Sequence, residues 1–296
     1  MKYEMENLLF RYRNGDENSI NAFEDNKLYF SIPDYFNDPF DSVAYINQKN
    51  LKSRIEKDLD EHMLEYLNNA TNQLFSLVTS FNRGKLYELS KDEDIRNDFF
   101  RMVTDLTVCL KHKITQNCKI ICFSEKYLSN LMWAHYSNYH KGFVLGYTQD
   151  DIRNASIFDE NNLLIEKKIK LKKIKYSEFM VDTYNFAYKV LPMFGKIESD
   201  SASLLIKMLT TKMQEWGYEH EWRLCSWPDN IYNMDLAHYI NIVPRCILLG
   251  VRMDKLERER IIKIAKKKKI DIFDVECDSN EDQYKLKINN IFSYYK

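Results

Sequence analysis

The chain has 296 residues, 43 basic and 44 acidic side chains for a formal charge of −1, and 45% apolar residues, enough for one large domain with a sizeable core. The charge balance disfavours a chain devoted to non-specific nucleic-acid binding, which needs a basic excess. Seven glycines and five prolines, about 4% of the residues against about 12% usually, exclude collagen-like, linker-rich and Gly-rich phosphate-loop designs.

In chain order, Leu8–Tyr12 is apolar enough for a strand, Asn14-Gly15-Asp16 is a turn signal, and 17–25 is a short helix. Lys27–Ser31 alternates like a strand, and the prolines at 33 and 39 make the following IPDYFNDPFD an ordered loop. From 47 to 113 the spacing of Leu51, Ile55, Leu59, Met63 and Leu67 predicts a helical insertion or lid with a solvated charged face. Lys119–Ser124 reads as a buried strand, Met132–Tyr136 as a short helix and Phe143–Tyr147 as a strand begun by Gly142. Lys168–Tyr176 alternates lysines with Ile169 and Leu171, the pattern of a guarded edge strand. Residues 177–216 read as mainly helical and Tyr218–Ser226 as a strand. The C-terminal third reads strand (Arg245–Val251), helix with an Asp254/Glu257 capping box, strand (Ile270–Val275). Lysines 266–269 end that helix, where the macrodipole favours cations. The expectation is a single α+β domain over 1–296, with a mixed or antiparallel central sheet and a C-terminal strand–helix–strand unit.

Six cysteines contain no C-x-x-C pair and read as mostly buried free thiols. The N-terminal MKYEMENLLFRYR has acidic residues where a signal peptide needs an apolar run, and the apolar segment 240–251 is broken by Asn241, Pro244 and Arg245. A cytoplasmic protein without membrane contact is expected. G-x-G-x-x-G, P-loop, H-E-x-x-H and G-x-S-x-G signatures are absent.

Three clusters carry chemistry. Asn37, Asp38 and Asp41 lie between Pro39 and aromatics, with Arg11, Tyr12 and Arg13 upstream; an Asx turn is the plain alternative. Trp133, His135, Tyr136 and His140 group two of the six histidines beside aromatics. In the third, WGYEHEWR (216–223), a strand would put Glu219 and Glu221 on one face and His220 and Trp222 on the other. Adjacent carboxylates repel unless a metal, a cation or a substrate developing positive charge uses them.

Together these boxes resemble the bacterial family known as domain of unknown function 2971. The marks are Arg11–Arg13, Leu28–Asp41, Cys122–Ser124, Met132–Phe143 and Trp216–Arg223. More distantly, a basic first strand, an aromatic-plus-Ser strand and a late E-x-E strand resemble the ADP-ribosyltransferase superfamily. That resemblance implies an ADP-ribosyltransferase-like sheet and NAD as substrate without a metal. It implies Arg13 or Arg11 as the NAD-holding residue, Ser31 or Ser124 as support, Glu221 as the catalytic glutamate and Glu219 as the acceptor-orienting one. Tyr12, Tyr29, Trp133 and Tyr136 are aromatics available for stacking, with Asn37, Asp38, His135 and His140 near the nucleotide. It further implies a toxin or anti-phage effector acting on a nucleic acid or protein, with a cognate antitoxin or defence partner. The alternatives are a metal-dependent nuclease or hydrolase using Asp38, Asp41, His135, His140, Glu219 and Glu221, and a non-catalytic ligand-sensing module. On the enzyme reading, Glu221→Gln is expected to abolish nicotinamide release with little change in melting temperature.

Overall fold

A computed structural model describes residues 4–43, 118–165, 169–183, 200–226, 238–279 and 282–294, with isolated positions between 45 and 105. The chain divides into two compact units, one of residues 1–36, 117–176 and 212–296, the other of 37–116 and 177–211.

The first unit grows outward from β1 (Leu8–Arg13), whose first three residues are all buried, as a strand enclosed on both faces requires. On one side β1 pairs antiparallel with β4 (Phe143–Thr148), on the other with β3 (Lys119–Ser124). β3 continues to β10 (Glu221–Ser226) and then to β7 (Ile169–Lys173). Beyond β4 lie β12 (Cys246–Leu249), β13 (Asp271–Cys277) and β14 (Leu286–Phe292). The eight-stranded order is β14-β13-β12-β4-β1-β3-β10-β7, mixed but mostly antiparallel: only β12 and β13 run parallel. The edge strand β7 exposes Lys170, Lys172 and Lys173, which discourages edge-to-edge pairing.

Parallel neighbours need a crossover, supplied by α5 (Lys255–Lys268). Its start is capped by Asp254, which accepts from the Leu256 and Glu257 amides, and it buries Ile261, Ile264 and Ala265 on one stripe. A smaller antiparallel sheet is ordered β2 (Lys27–Tyr29), β11 (Tyr239–Asn241), β5 (Ser156–Phe158), β6 (Leu164–Ile165).

Two cores follow from the period-2 alternation of the large sheet. On one face Leu9, Phe143, Leu145, Tyr147, Ile121, Phe123 and Leu224 pack with α1 (Glu17–Glu24), α5 and the smaller sheet. On the other, Leu8, Phe10, Tyr12, Val144 and Leu248 pack with Met132 and Trp133 of α2 (Asn130–Tyr136). A short α3 (Gln149–Arg153) follows β4 and buries Ile152. The β1–α1 corner fits because position 142 is glycine: a Cβ there would lie 1.9 Å from the Arg13 carbonyl oxygen.

In the second unit, Thr183 donates from its amide and its hydroxyl to the Tyr45 carbonyl, at 2.8 Å each, and Arg54 pairs with Asp182. Helix α4 (Asp200–Leu209) belongs to this unit. Most of the helical stretch expected over 47–113 lies outside the described residues; Leu51, Ser53, Arg54, Lys57, Glu93, Asp94, Asn97, Arg101 and Asp105 within it are helical. β8 (Lys175–Ser177) and β9 (Thr211–Met213), most of whose residues belong to the first unit, form a two-stranded ribbon.

The α+β class and the C-terminal strand–helix–strand unit are as expected from sequence, with β14 added. The strand expected over Tyr218–Ser226 is corrected. Gln214–Glu219 form a 3-10 turn, His220 is left-handed at φ 45°, and the strand begins only at Glu221. Tertiary bonds override the alternation here: the Ser124 hydroxyl donates to the Glu219 carbonyl at 2.5 Å, and the His220 carbonyl accepts from the Glu125 amide at 3.1 Å. The mainly helical expectation for 177–216 holds for α4 but gives way to β9 and the 3-10 turn, and 184–199 lies outside the described residues. Cys118, Cys225 and Cys246 are buried free thiols, whereas Cys277 is exposed. Among the described residues no helix is long and apolar enough to cross a membrane.

Candidate functional site

The α2 face of the large sheet holds a buried set of four charges. β10 begins with Glu221 opposite Ser124 and continues with Arg223 opposite Cys122, so Glu221 and Arg223 share that face with Phe10, which is also opposite Ser124. The 3-10 turn and the left-handed His220 bring Glu219 to the same place. Lys212, from β9, closes the set. Glu219 and Glu221 are each 3% exposed, Lys212 6% and Arg223 0%.

The contacts pair every charge. Glu219 Oε2 accepts from Lys212 Nζ at 2.6 Å, and its Oε1 accepts from the Tyr136 hydroxyl at 2.5 Å. Glu221 Oε1 accepts from Arg223 Nε at 2.7 Å; its Oε2 accepts from Arg223 Nη2 at 3.2 Å and Lys212 Nζ at 3.1 Å. The Glu221 amide donates to the Tyr176 hydroxyl at 2.8 Å. The Lys212 ammonium lies 4.9 Å from the centre of the Trp216 ring, and the Arg223 guanidinium 5.3 Å from that of Phe36. Cation–π contact and two carboxylates together make this a place built to hold positive charge.

The environment drives the two carboxyls apart. Burial raises Glu221, but Arg223 and Lys212, with side-chain bonds from Arg223 and Cys122, outweigh it and pull the group down to about 2. Burial raises Glu219 as well; Lys212 opposes, the Glu221 charge adds to the rise, and the net shift is upward. One carboxyl is therefore pulled below the ordinary carboxylate range while its neighbour is raised above it.

Of the residues singled out from sequence, Glu219, Glu221, Tyr136 and Ser124 meet here. Of the others, those in the first unit lie elsewhere. Trp133 is core: its Nε1 donates to the Tyr127 carbonyl at 2.8 Å and its ring meets Tyr12 edge-on. His140, at φ 67°, stacks on Trp133, and His135 is exposed on α2. The Tyr12 hydroxyl donates to the Lys126 carbonyl. Ser31 exchanges backbone bonds with Ile120. Arg11 and Arg13 alternate with Phe10 and Tyr12, so they point to the opposite, α1 face of the sheet. Asn37, Asp38 and Asp41 belong to the second unit. There Asp38 makes the Asx turn, its Oδ1 accepting from the Phe40 amide at 2.9 Å, while its buried Oδ2 has no partner. Among the described residues no three His, Cys, Asp or Glu side chains gather as a metal centre.

Sequence reasoning missed Lys212, Arg223 and Tyr176 as members of the site. The available signal was electrostatic: two glutamates that cannot stay buried together without counter-cations, with Lys212 and Arg223 the nearest basic residues on either side in the chain. No curated protein and no solved structure matches the chain. The family model described as "Protein of unknown function (DUF2971)" matches residues 132–224, the segment running from α2 to Leu224 of β10, in support of the resemblance read from the sequence.

Proposed function

We propose that the protein is an ADP-ribosyltransferase-like enzyme that consumes NAD, with Glu221 beside the bond that breaks. The observation carrying this reading is the pair of neighbouring carboxyls whose protonation is driven apart, a pattern that separates two catalytic roles. As the nicotinamide–ribose bond breaks, its electron pair leaves with the nicotinamide and neutralises the pyridinium. The anomeric carbon then takes on positive charge, which an ionised Glu221 stabilises. The acceptor nucleophile bonds to that carbon and gives its proton to Glu219, whose raised pKa makes it a better base. Lys212 marks where the resting protein holds a cation between the two carboxylates. Tyr136, Trp216 and Tyr218, all partly exposed, supply stacking surface at the rim. Arg11 and Arg13, on the other face, have no part at the reacting bond. The acceptor is a nucleic acid or a protein, and the setting is a cytoplasmic toxin or anti-phage effector restrained by a cognate partner.

The test is nicotinamide release from NAD by wild type, Glu221→Gln and Glu219→Gln, with and without added nucleic acid and cell lysate, each protein checked for fold by circular dichroism. Release that disappears in folded Glu221→Gln supports the reading. A folded wild type that releases no nicotinamide under any of these conditions refutes it. One observation favours a second reading, a non-catalytic sensing module: the four charges are fully paired with one another. On that reading Glu221 variants change stability and NAD is not consumed.

A further inference from the structure

The loop that follows α2 carries three consecutive left-handed residues, Asn138 (φ 49°), Tyr139 (φ 56°) and His140 (φ 67°). A bulky side chain such as tyrosine rarely adopts that conformation, and it persists only where the surroundings impose it. Here they do. The His140 amide donates to the Trp133 carbonyl at 3.2 Å, and the Gly142 amide to the Ser137 carbonyl at 2.8 Å. From the segment that joins β12 to α5, the Arg252 amide donates to the His140 carbonyl at 3.0 Å and the Gly250 amide to the Gly142 carbonyl at 2.9 Å. A Cβ at position 250 would lie 2.3 Å from the His140 carbonyl oxygen, so this close approach requires glycine. The fixed loop leaves Tyr139 68% exposed, with Lys141 and Arg252 exposed beside it.

Lys141, Arg252 and Lys255 bring three cations to this surface, and among the described residues none of them lies within ion-pair distance of a carboxylate. Other arginines of the same unit behave differently: Arg245 pairs with Asp151, Arg258 with Asp274 and Arg260 with Glu17. Arg252 and Lys255 also stand at the start of α5, the positive end of the helix, where the macrodipole opposes cations. The acid placed there, Asp254, is engaged as the cap, accepting from the Leu256 amide at 2.8 Å. His140 stacks on Trp133, and burial together with the Arg252 charge lowers its imidazole below the usual range.

We infer that Tyr139, Lys141, Arg252 and Lys255 form a docking surface for single-stranded nucleic acid. Cations without carboxylate partners match a phosphodiester backbone, and the Tyr139 ring, held outward by the left-handed turn, offers a face on which an unpaired base stacks. A duplex keeps its bases stacked on one another, so the ring favours single strands. A local surface of this kind is compatible with a net charge of −1, which disfavours only a chain basic throughout. The surface begins three residues beyond Tyr136, whose hydroxyl donates to Glu219 at 2.5 Å. The strand it holds is the acceptor. That last assignment rests on the NAD reading, whereas the docking itself does not.

The experiment is fluorescence anisotropy of a labelled oligothymidylate of about 20 nucleotides, titrated with the intact protein at fixed salt. Saturable binding is expected, weakened about tenfold or more in Lys141→Gln/Arg252→Gln and in Tyr139→Asn. Asparagine tolerates the left-handed position, so Tyr139→Asn removes the ring without disturbing the turn. The control is Lys263→Gln/Lys267→Gln, which removes the same charge from exposed positions further along α5 and should bind like wild type. Absence of saturable binding overturns the surface, as does a control that loses as much affinity as the variants. Unlabelled duplex competing as well as unlabelled single strand overturns the stacking role of Tyr139. Displacement of the oligonucleotide by polyglutamate of equal charge overturns nucleic acid in favour of an acidic protein. Nicotinamide release is followed in the same samples. Release stimulated by the oligonucleotide in wild type but not in Tyr139→Asn supports the acceptor assignment, and release that bound oligonucleotide does not stimulate overturns it. Binding without any release supports the surface and counts against the NAD reading alone.

Discussion

Lys212→Met is the sharpest probe of the buried charges. The substitution keeps most of the side-chain volume but removes the ammonium that lies between two carboxylates, 2.6 Å from Glu219 and 3.1 Å from Glu221. Arg223 remains to neutralise Glu221, and Glu219 is left as a buried acid beside a like charge. Breaking one partner from such a set costs about 3–5 kcal/mol, and that is the loss expected at pH 7.5. The sign of the pH dependence follows from Glu219, already raised by burial and raised further without the ammonium. A carboxyl whose folded pKa exceeds its unfolded one lowers stability above that folded pKa. The lost stability returns as pH falls toward the unfolded range of about 4.3. Glu221 behaves oppositely. Pulled down to about 2, it contributes stability above the unfolded range that is lost only as pH falls through about 2, so wild type stays intact at pH 5. The difference between variant and wild type should therefore shrink between pH 7.5 and pH 5. Urea unfolding followed by fluorescence of Trp133, Trp216 and Trp222 measures it. Adding Glu219→Gln to Lys212→Met should restore part of the loss, because the stranded charge is gone. A loss below about 1 kcal/mol at pH 7.5, or one equal at both pH values, would refute the reasoning.

Glu221→Gln should also lower stability, contrary to what the sequence led one to expect, because it withdraws the counter-charge of Arg223 and Lys212; a shift of a few degrees or more in melting temperature checks this. Gly142→Ala should prevent folding or cost more than about 3 kcal/mol, since its Cβ would meet the Arg13 carbonyl oxygen at 1.9 Å; soluble yield and denaturation read the result. His220→Val forces a β-branched residue into a left-handed position at φ 45° and should destabilise by about 1–2 kcal/mol, whereas His220→Gly should be tolerated. Asp254→Ala removes the cap of α5 and should cost about 1 kcal/mol by chemical denaturation, with little effect on the buried charges.

Much of the chain's local structure follows from the sequence directly. The apolar run at Leu8–Phe10, the strand at Lys119–Ser124 and the Asp254 cap appear at their expected positions, because burial period and capping act over a few residues. The lysines of 169–173 likewise announced an edge strand. Local pattern failed where distant residues outbid it. Alternation put Glu219 and Glu221 on one strand face, but Ser124, Tyr136 and Lys212, from three separate elements, draw Glu219 into a 3-10 turn. Lys212 looked like any surface lysine, since only the fold brings it within reach of both acids. Arg11 and Arg13 read as partners of Glu221 in the order of motifs along the chain. The register of β1, β3 and β10 puts them on opposite faces of one sheet, because side-chain direction depends on the parity of pairing, which motif order does not encode.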